Sequence, residues 1–226
     1  MNIKSIILDV DGTLYDLDDV MSMNYRIQRD FLHQKFEMDY GEIDEYFKKN
    51  SIFENRKKDS KSCTELFMKM GIDKEEWNHF REINFDVNQI NIDNAVKLPT
   101  IHRIALQIDY LILLSSNSIN NIINILKRLQ MDIDLFTKII CSDKYVYENT
   151  FSKCEAMKWV MQYYNIPASN VLSVGDRYKT DIEPMVLLGG NGYLVKKPID
   201  LEYLADWIET GAPFHNIDDR IIISQI

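Results

Sequence analysis

Asp9 and Asp11 stand two residues apart where a short apolar run, Ile3 to Leu8, gives way to the acid-rich segment DVDGTLYD at 9–16. Two carboxylates so spaced can both turn toward one pocket once the backbone leaves the pleat of a strand. Gly12 permits that turn and a close approach of backbone to an anion. The same residues also read as an acidic turn after a strand. Asp176 and Asp181, in GDRYKTD at 175–181, supply hard oxygen ligands of the kind Mg²⁺ takes while keeping several of its waters. The plainer alternative is a glycine turn followed by an acid at a helix N-terminus. Ser116 and Asn117, in LLSSNS at 113–118, put a hydroxyl and backbone amides at a helix start, which makes a seat for phosphate. Ser-Asn equally serves to cap the helix that follows. Lys153 offers an ammonium that can neutralise phosphate oxygens and steady a nucleophile; Lys144 competes for that role, and a surface lysine is often only a solvated charge.

These residues need a scaffold that brings strand ends together. The run Ile3–Leu8 reads as a strand buried on both faces. After Pro99 the pattern alternates. A helix marked by Ile101, Ile104, Ala105 and Ile108 precedes the strand YLILLS at 110–115, and a helix from Ile119 to Leu129 precedes KIIC at 138–141. A helix from Lys153 to Tyr164 leads to VLSV at 171–174, and one from Thr180 to Leu188, closed by Gly189 and Gly190, leads to YLV at 193–195. The segment IIIS at 221–224 reads as a short edge strand. Alternation of this kind predicts right-handed βαβ units and a parallel sheet, with active residues at the carboxyl ends of the strands.

From about Asp16 to Val96 the spacing is helical instead, with no convincing strand. Val20, Met23, Ile27 and Phe31 form one set, capped by Asp18 or Asp19. Cys63, Leu66, Phe67 and Met70 form a second that stops at Gly71, and Trp77, Phe80 and Ile83 a third that starts after Asp73.

A chain of 226 residues can bury a full core, and 46% hydrophobic with 27% charged residues argues against disorder. The net charge of −9 argues against nucleic acid and anionic membranes as partners. It leaves room for a small anionic substrate, because a bound divalent cation reverses the local field. The three cysteines, Cys63, Cys141 and Cys154, lack metal-type spacing and fit free thiols in a reducing cytoplasm. The first apolar run is short and ends in acids, so it reads as neither a signal peptide nor a membrane span. Nothing in the sequence sets the oligomeric state.

In this order, and with these gaps, the residues resemble the haloacid dehalogenase (HAD) superfamily. Asp9, Asp11 and Thr13 match its DxDxT motif, and Ser116 matches its Ser/Thr after the second strand. Lys153 in SKCEAMKWV is similar to its lysine, and Asp176 with Asp181 to its GDxxxxD acids. The likeness runs over nearly the whole chain, with a helical insert after the first motif. Two departures stand out. Cys154 follows Lys153 where many members with a helical cap have proline, and Pro184 stands where relatives often have alanine, although proline suits a first helical turn.

The resemblance implies an α/β protein whose core, residues 1–15 and 97–226, is a Rossmann-like three-layer fold with a parallel sheet in the order 5-4-1-2-3. Residues 16–96 form an inserted α-helical cap that closes over the site and governs selectivity. It further implies a Mg²⁺-dependent phosphatase acting on a small phosphorylated metabolite, of the nucleotide or sugar phosphate type. Asp9 is then the nucleophile that forms an aspartyl-phosphate, and Asp11 the general acid and base. Mg²⁺ is held by Asp9, Asp176 and the main-chain carbonyl of Asp11, with Asp181 nearby. Lys153 and Ser116 hold phosphoryl oxygens, with Thr13 and Asn117 also counted as phosphate-binding.

Other chemistries share the scaffold. L-2-haloacid dehalogenases lack the second aspartate of the first motif, so Asp11 disfavours that reaction. Phosphonatases need a cap lysine as a Schiff-base amine, which nothing here singles out. A receiver-type phosphoryl acceptor carries its accepting aspartate on a later strand. A sugar phosphomutase shares Asp9 and Asp11 and stays open, as does a non-catalytic phosphate sensor or interaction protein. The basic run Arg56, Lys57, Lys58 reads either as a second anion contact or as a solvated helix end.

Overall fold

Runs of β-branched residues and leucine pair into one sheet because backbone groups removed from water must be satisfied laterally. A computed structural model describes residues 2–50, 63–142, 152–211 and 221–223; Lys144 and the basic run 56–58 lie outside them. The strands are β1 (Ser5–Leu8), β2 (Tyr110–Leu114), β3 (Lys138–Ile140), β4 (Val171–Gly175), β5 (Asn191–Leu194) and β6 (Ile221–Ile223). The helices are α1 (Met21–Phe36), α2 (Tyr40–Lys49), α3 (Cys63–Lys69), α4 (Lys74–Asn84), α5 (Leu98–Leu106), α6 (Ile119–Arg128), α7 (Lys153–Tyr163), α8 (Glu183–Leu187) and α9 (Asp200–Thr210).

The sheet runs β3-β2-β1-β4-β5-β6, with five parallel strands and β6 antiparallel to β5. The parallel part is the order that the resemblance implies, 5-4-1-2-3, seen from the other edge. β1 is central: Leu8 pairs with Leu113 of β2 on one side and Val174 of β4 on the other. Beyond the strand, Asp9 N–H still donates to Val174 O at 2.9 Å, so the loops after β1 and β4 leave the sheet side by side. The chain order reverses at this point of the sheet, which is where parallel α/β sheets open a crevice. Beneath it, Ile7, Ile112, Leu114 and Ile140 pack with Ala156, Met157 and Val160 of α7 and Met185 of α8. Helix α5 packs on α9, where Arg103 pairs with Glu209 and Asp206. Helix α9 is not singled out in the sequence, although Leu201, Leu204 and Ala205 bury at helical spacing.

Contacts divide the chain into two compact units, Met1–Leu17 with Ile90–Ile226, and Asp18–Gln89. Residues 90–96, which the pattern assigns to the insert, therefore group with the sheet. Arg128 Nη2 donates to Ile90 O at 3.0 Å, and Val96 N–H donates to Leu14 O at 2.9 Å. The second unit is helical where described. Phe31 of α1, Phe67 of α3 and Trp77 of α4 form its aromatic centre, with ring centroids 4.8–5.6 Å apart. Asp18 and Asp19 do not cap α1: they lie in a 3₁₀ turn over Leu17–Val20 that feeds the helix directly, and its N-cap, Val20, makes no side-chain bond. Asp73 does cap α4, accepting from Glu76 N–H at 3.0 Å. Helix α2, not singled out in the sequence, opens on a capping box between Asp39 and Glu42. The three cysteines are free, and no described helix is long and apolar enough to cross a membrane.

Candidate active site

The loop after β1 turns back on itself: Leu14 N–H donates to Val10 O at 2.9 Å, and Gly12 takes φ +76°. A Cβ at Gly12 would lie 2.3 Å from Asp176 Oδ2. Only glycine both adopts this φ without strain and lets the loop after β1 rest against the carboxylate after β4. The same economy holds at Gly175, where a Cβ would lie 2.5 Å from Asp181 Cβ. Asp181 reaches that place through a π-helical turn, Tyr178–Ile182, in place of the plain helix predicted from Thr180. The wide turn brings the side chain back over the end of β4, where Asp181 Oδ2 accepts from Arg177 N–H at 2.8 Å. Wide turns of this kind recur at functional sites.

Asp9, Asp176 and Asp181 are thus brought together, each at most 7% exposed. One oxygen from each lies within 4.8 Å of the others. Lys153, the first residue of α7 after the cap Ser152, reaches the same point: its Nζ donates to Asp9 Oδ1 and to Asp181 Oδ1, both at 2.7 Å. Burial holds the Asp9 carboxyl well above the usual carboxylate range; the Lys153 ammonium opposes this, and Asp181, Asp176 and Asp11 add to it. Burial also works against charge on Lys153, but Asp181 and Asp9 outweigh it and keep the ammonium firmly protonated.

The Lys153 ammonium pairs with two of these three clustered carboxylates, Asp9 and Asp181, in a desolvated place. The donor set, one oxygen from each carboxylate, is all oxygen, which fits Mg²⁺. Both Asp181 oxygens are engaged by protein donors, Lys153 and Arg177 N–H, so this residue acts as a brace as well as a candidate ligand.

Asp11 is partly exposed and held from two sides. Tyr15 Oη donates to its Oδ1 at 2.5 Å, and Asn117 Nδ2 lies 3.3 Å from each of its oxygens. Asn117, expected among the phosphate-binding residues, therefore turns its side chain to Asp11. Ser116 is exposed at the end of β2, whereas its neighbour Ser115 is buried and accepts from Asn117 N–H at 3.1 Å. Thr13 is fully buried, and its Oγ1 has no hydrogen-bond partner among the described residues. Tyr15 was not legible as a site residue, since beside Leu14 it reads as core filling. The available signal was its spacing, four residues after Asp11.

No protein-family model matches the chain, and comparison with curated proteins finds no match. Solved structures do match. A HAD phosphatase from Thermococcus onnurineus aligns over 96% of this chain and 92% of its own, with a TM-score of 0.58 at 16% identity. A HAD-hydrolase from Bacillus subtilis, solved bound to magnesium, aligns over 91% of this chain and all of its own, with a TM-score of 0.55 at 17% identity. A 2-haloacid dehalogenase from Pseudomonas syringae pv. Tomato aligns over 93% and 100%, with a TM-score of 0.53 at 15% identity. At these identities the likeness is one of architecture. The chain has the haloacid dehalogenase-like fold.

Proposed function

We propose that this protein is a hydrolase, a Mg²⁺-dependent phosphatase of a small phosphate monoester, with Asp9 as nucleophile and Asp11 as general acid and base. The observation that carries the reading is Asp9 itself. It is buried at the end of the central strand, with an ammonium at 2.7 Å and two further carboxylates within reach of a shared cation. Phosphate monoesters resist attack mainly because their anionic oxygens repel a nucleophile, so the task is positioning and charge neutralisation. Asp9, Asp176 and the main-chain carbonyl of Asp11 would hold Mg²⁺, braced by Asp181; when bound it supplies positive charge beside the phosphoryl oxygens.

Lys153 and the exposed Ser116 hydroxyl hold those oxygens. An Asp9 carboxylate oxygen attacks phosphorus, the ester P–O bond breaks, and the leaving oxygen takes the proton carried by Asp11. Water then attacks the aspartyl-phosphate, gives its proton to Asp11, and the bond to Asp9 breaks, so that inorganic phosphate leaves and both aspartates are restored. The substrate class is a phosphorylated metabolite, a nucleotide or sugar phosphate. The free thiols agree with a reducing, cytoplasmic setting.

Single-turnover quenching with ³²P-labelled p-nitrophenyl phosphate tests this. Asp9→Asn should take up no label. Asp11→Asn should accumulate labelled enzyme, because the leaving group of this ester needs little protonation whereas water activation still needs a base. Full turnover in excess EDTA, or label on the Asp9→Asn protein, would sink the assignment.

A further inference from the structure

Tyr15 is fully buried, and a buried phenol needs a partner for its hydroxyl that phenylalanine would not require. That partner is Asp11, at 2.5 Å. From the opposite segment Asn117 presents a second donor to the same carboxylate. Its orientation follows from its neighbours. Asn117 Oδ1 accepts from the backbone N–H of Ser118 at 3.1 Å, and an N–H can only donate, so the amino group must face Asp11. Asn121 Nδ2 donates to the same oxygen at 3.1 Å, and Ser142 donates to the Asn117 carbonyl through N–H and Oγ at 3.2 and 3.1 Å. Tyr15 is fixed through its backbone: residues 11 and 15 form an isolated β-bridge, and Leu14 is tied to Val96.

We infer that Tyr15, with Asn117 opposite, is the positioning residue of the proton transfers, holding the Asp11 carboxyl in the one rotamer that meets first the leaving oxygen and then the attacking water. The inference rests on the phosphatase reading. A partly exposed aspartate otherwise visits several staggered rotamers, and misplacement of a reacting group by about 1 Å can cost on the order of a hundredfold in rate. Two donors anchored in separate segments remove that freedom.

Tyr15→Phe keeps the ring and deletes the donor. With glycerol 2-phosphate, an ester with a poor leaving group, kcat should fall about tenfold while KM stays within about twofold. Decay of the ³²P-labelled phosphoenzyme made with p-nitrophenyl phosphate should slow about tenfold as well. In the Asp11→Asn background the added Tyr15→Phe change should slow that decay no further, because it acts only through Asp11. Asn117→Ala, with its melting temperature recorded alongside, should give the same split. Parental kcat in Tyr15→Phe beside a crippled Asp11→Asn protein would overturn the positioning role and leave the phosphatase reading intact, as would an equal slowing in both backgrounds. Unimpaired turnover in Asp11→Asn would remove the phosphatase reading and this inference together.

Discussion

Asp9 carries a cost of ionisation that a metal can relieve. Burial, opposed by Lys153 and reinforced by the other acids, raises its pKa in the folded protein above the value of about 3.8 expected in the unfolded chain. Between those two values the folded state binds the proton more tightly, so this group favours folding at low pH, and that contribution is lost as pH rises through the folded pKa. A divalent cation competes with the proton for the same oxygens, so its grip strengthens over the same span. Scanning calorimetry in EDTA should therefore show the melting temperature falling relative to Asp9→Asn as pH is raised from about 4, while the increment from added Mg²⁺ grows. An increment that does not change with pH would count against Asp9 as a ligand. At this scale the acids and Lys153 were legible in the sequence because each borders an uninterrupted apolar strand or opens a helix. Tyr15 was not, because only the folded turn reveals that its hydroxyl points at a carboxylate and not into the core.

The turns after β1 and β4 are as specific as the carboxylates they carry. Gly12→Ala would impose a side chain on a left-handed φ and drive its Cβ into Asp176. The variant should lose about 2 kcal/mol in urea unfolding, and its Mg²⁺ affinity by isothermal titration should weaken about tenfold, the equivalent of about 1.4 kcal/mol. Loss of stability with unchanged Mg²⁺ affinity would mean that Asp176 is not a ligand. The strands were readable because apolar runs such as YLILL and VLSV have few alternative uses, and their order came from the family resemblance. Helix α2 escaped because only Ile43 and Phe47 bury among its acids and lysines, so its start is written in a capping box and not in a stripe. The π-helical turn at Tyr178–Ile182 escaped because an extra residue in a turn has no composition of its own; tertiary packing of Asp181 against Gly175 selects it.

At the scale of the molecule, the sheet unit is assembled from two separated stretches of chain. Leu14 and Val96 are joined by a 2.9 Å hydrogen bond within this unit, so a flexible Gly-Ser linker in place of residues 18–89 can be tried. The shortened protein should melt cooperatively, show a Mg²⁺-dependent thermal shift and hydrolyse p-nitrophenyl phosphate. Loss of the Mg²⁺ shift would mean that the insert supplies part of the cation site. The central place of β1 has a further effect during synthesis. Its residues leave the ribosome well before their partners, Tyr110–Leu113 on one side and Val171–Val174 on the other. At about 5–20 residues per second, the second partner follows roughly ten to thirty seconds behind. Through that interval Ile6, Ile7 and Leu8, which end almost wholly buried, have an open edge, and Asp9 has neither Lys153 nor Asp176 beside it. Over that interval the apolar segment is a natural client for a chaperone, and the cluster of Asp9, Asp176 and Asp181 is complete only once translation has passed Asp181.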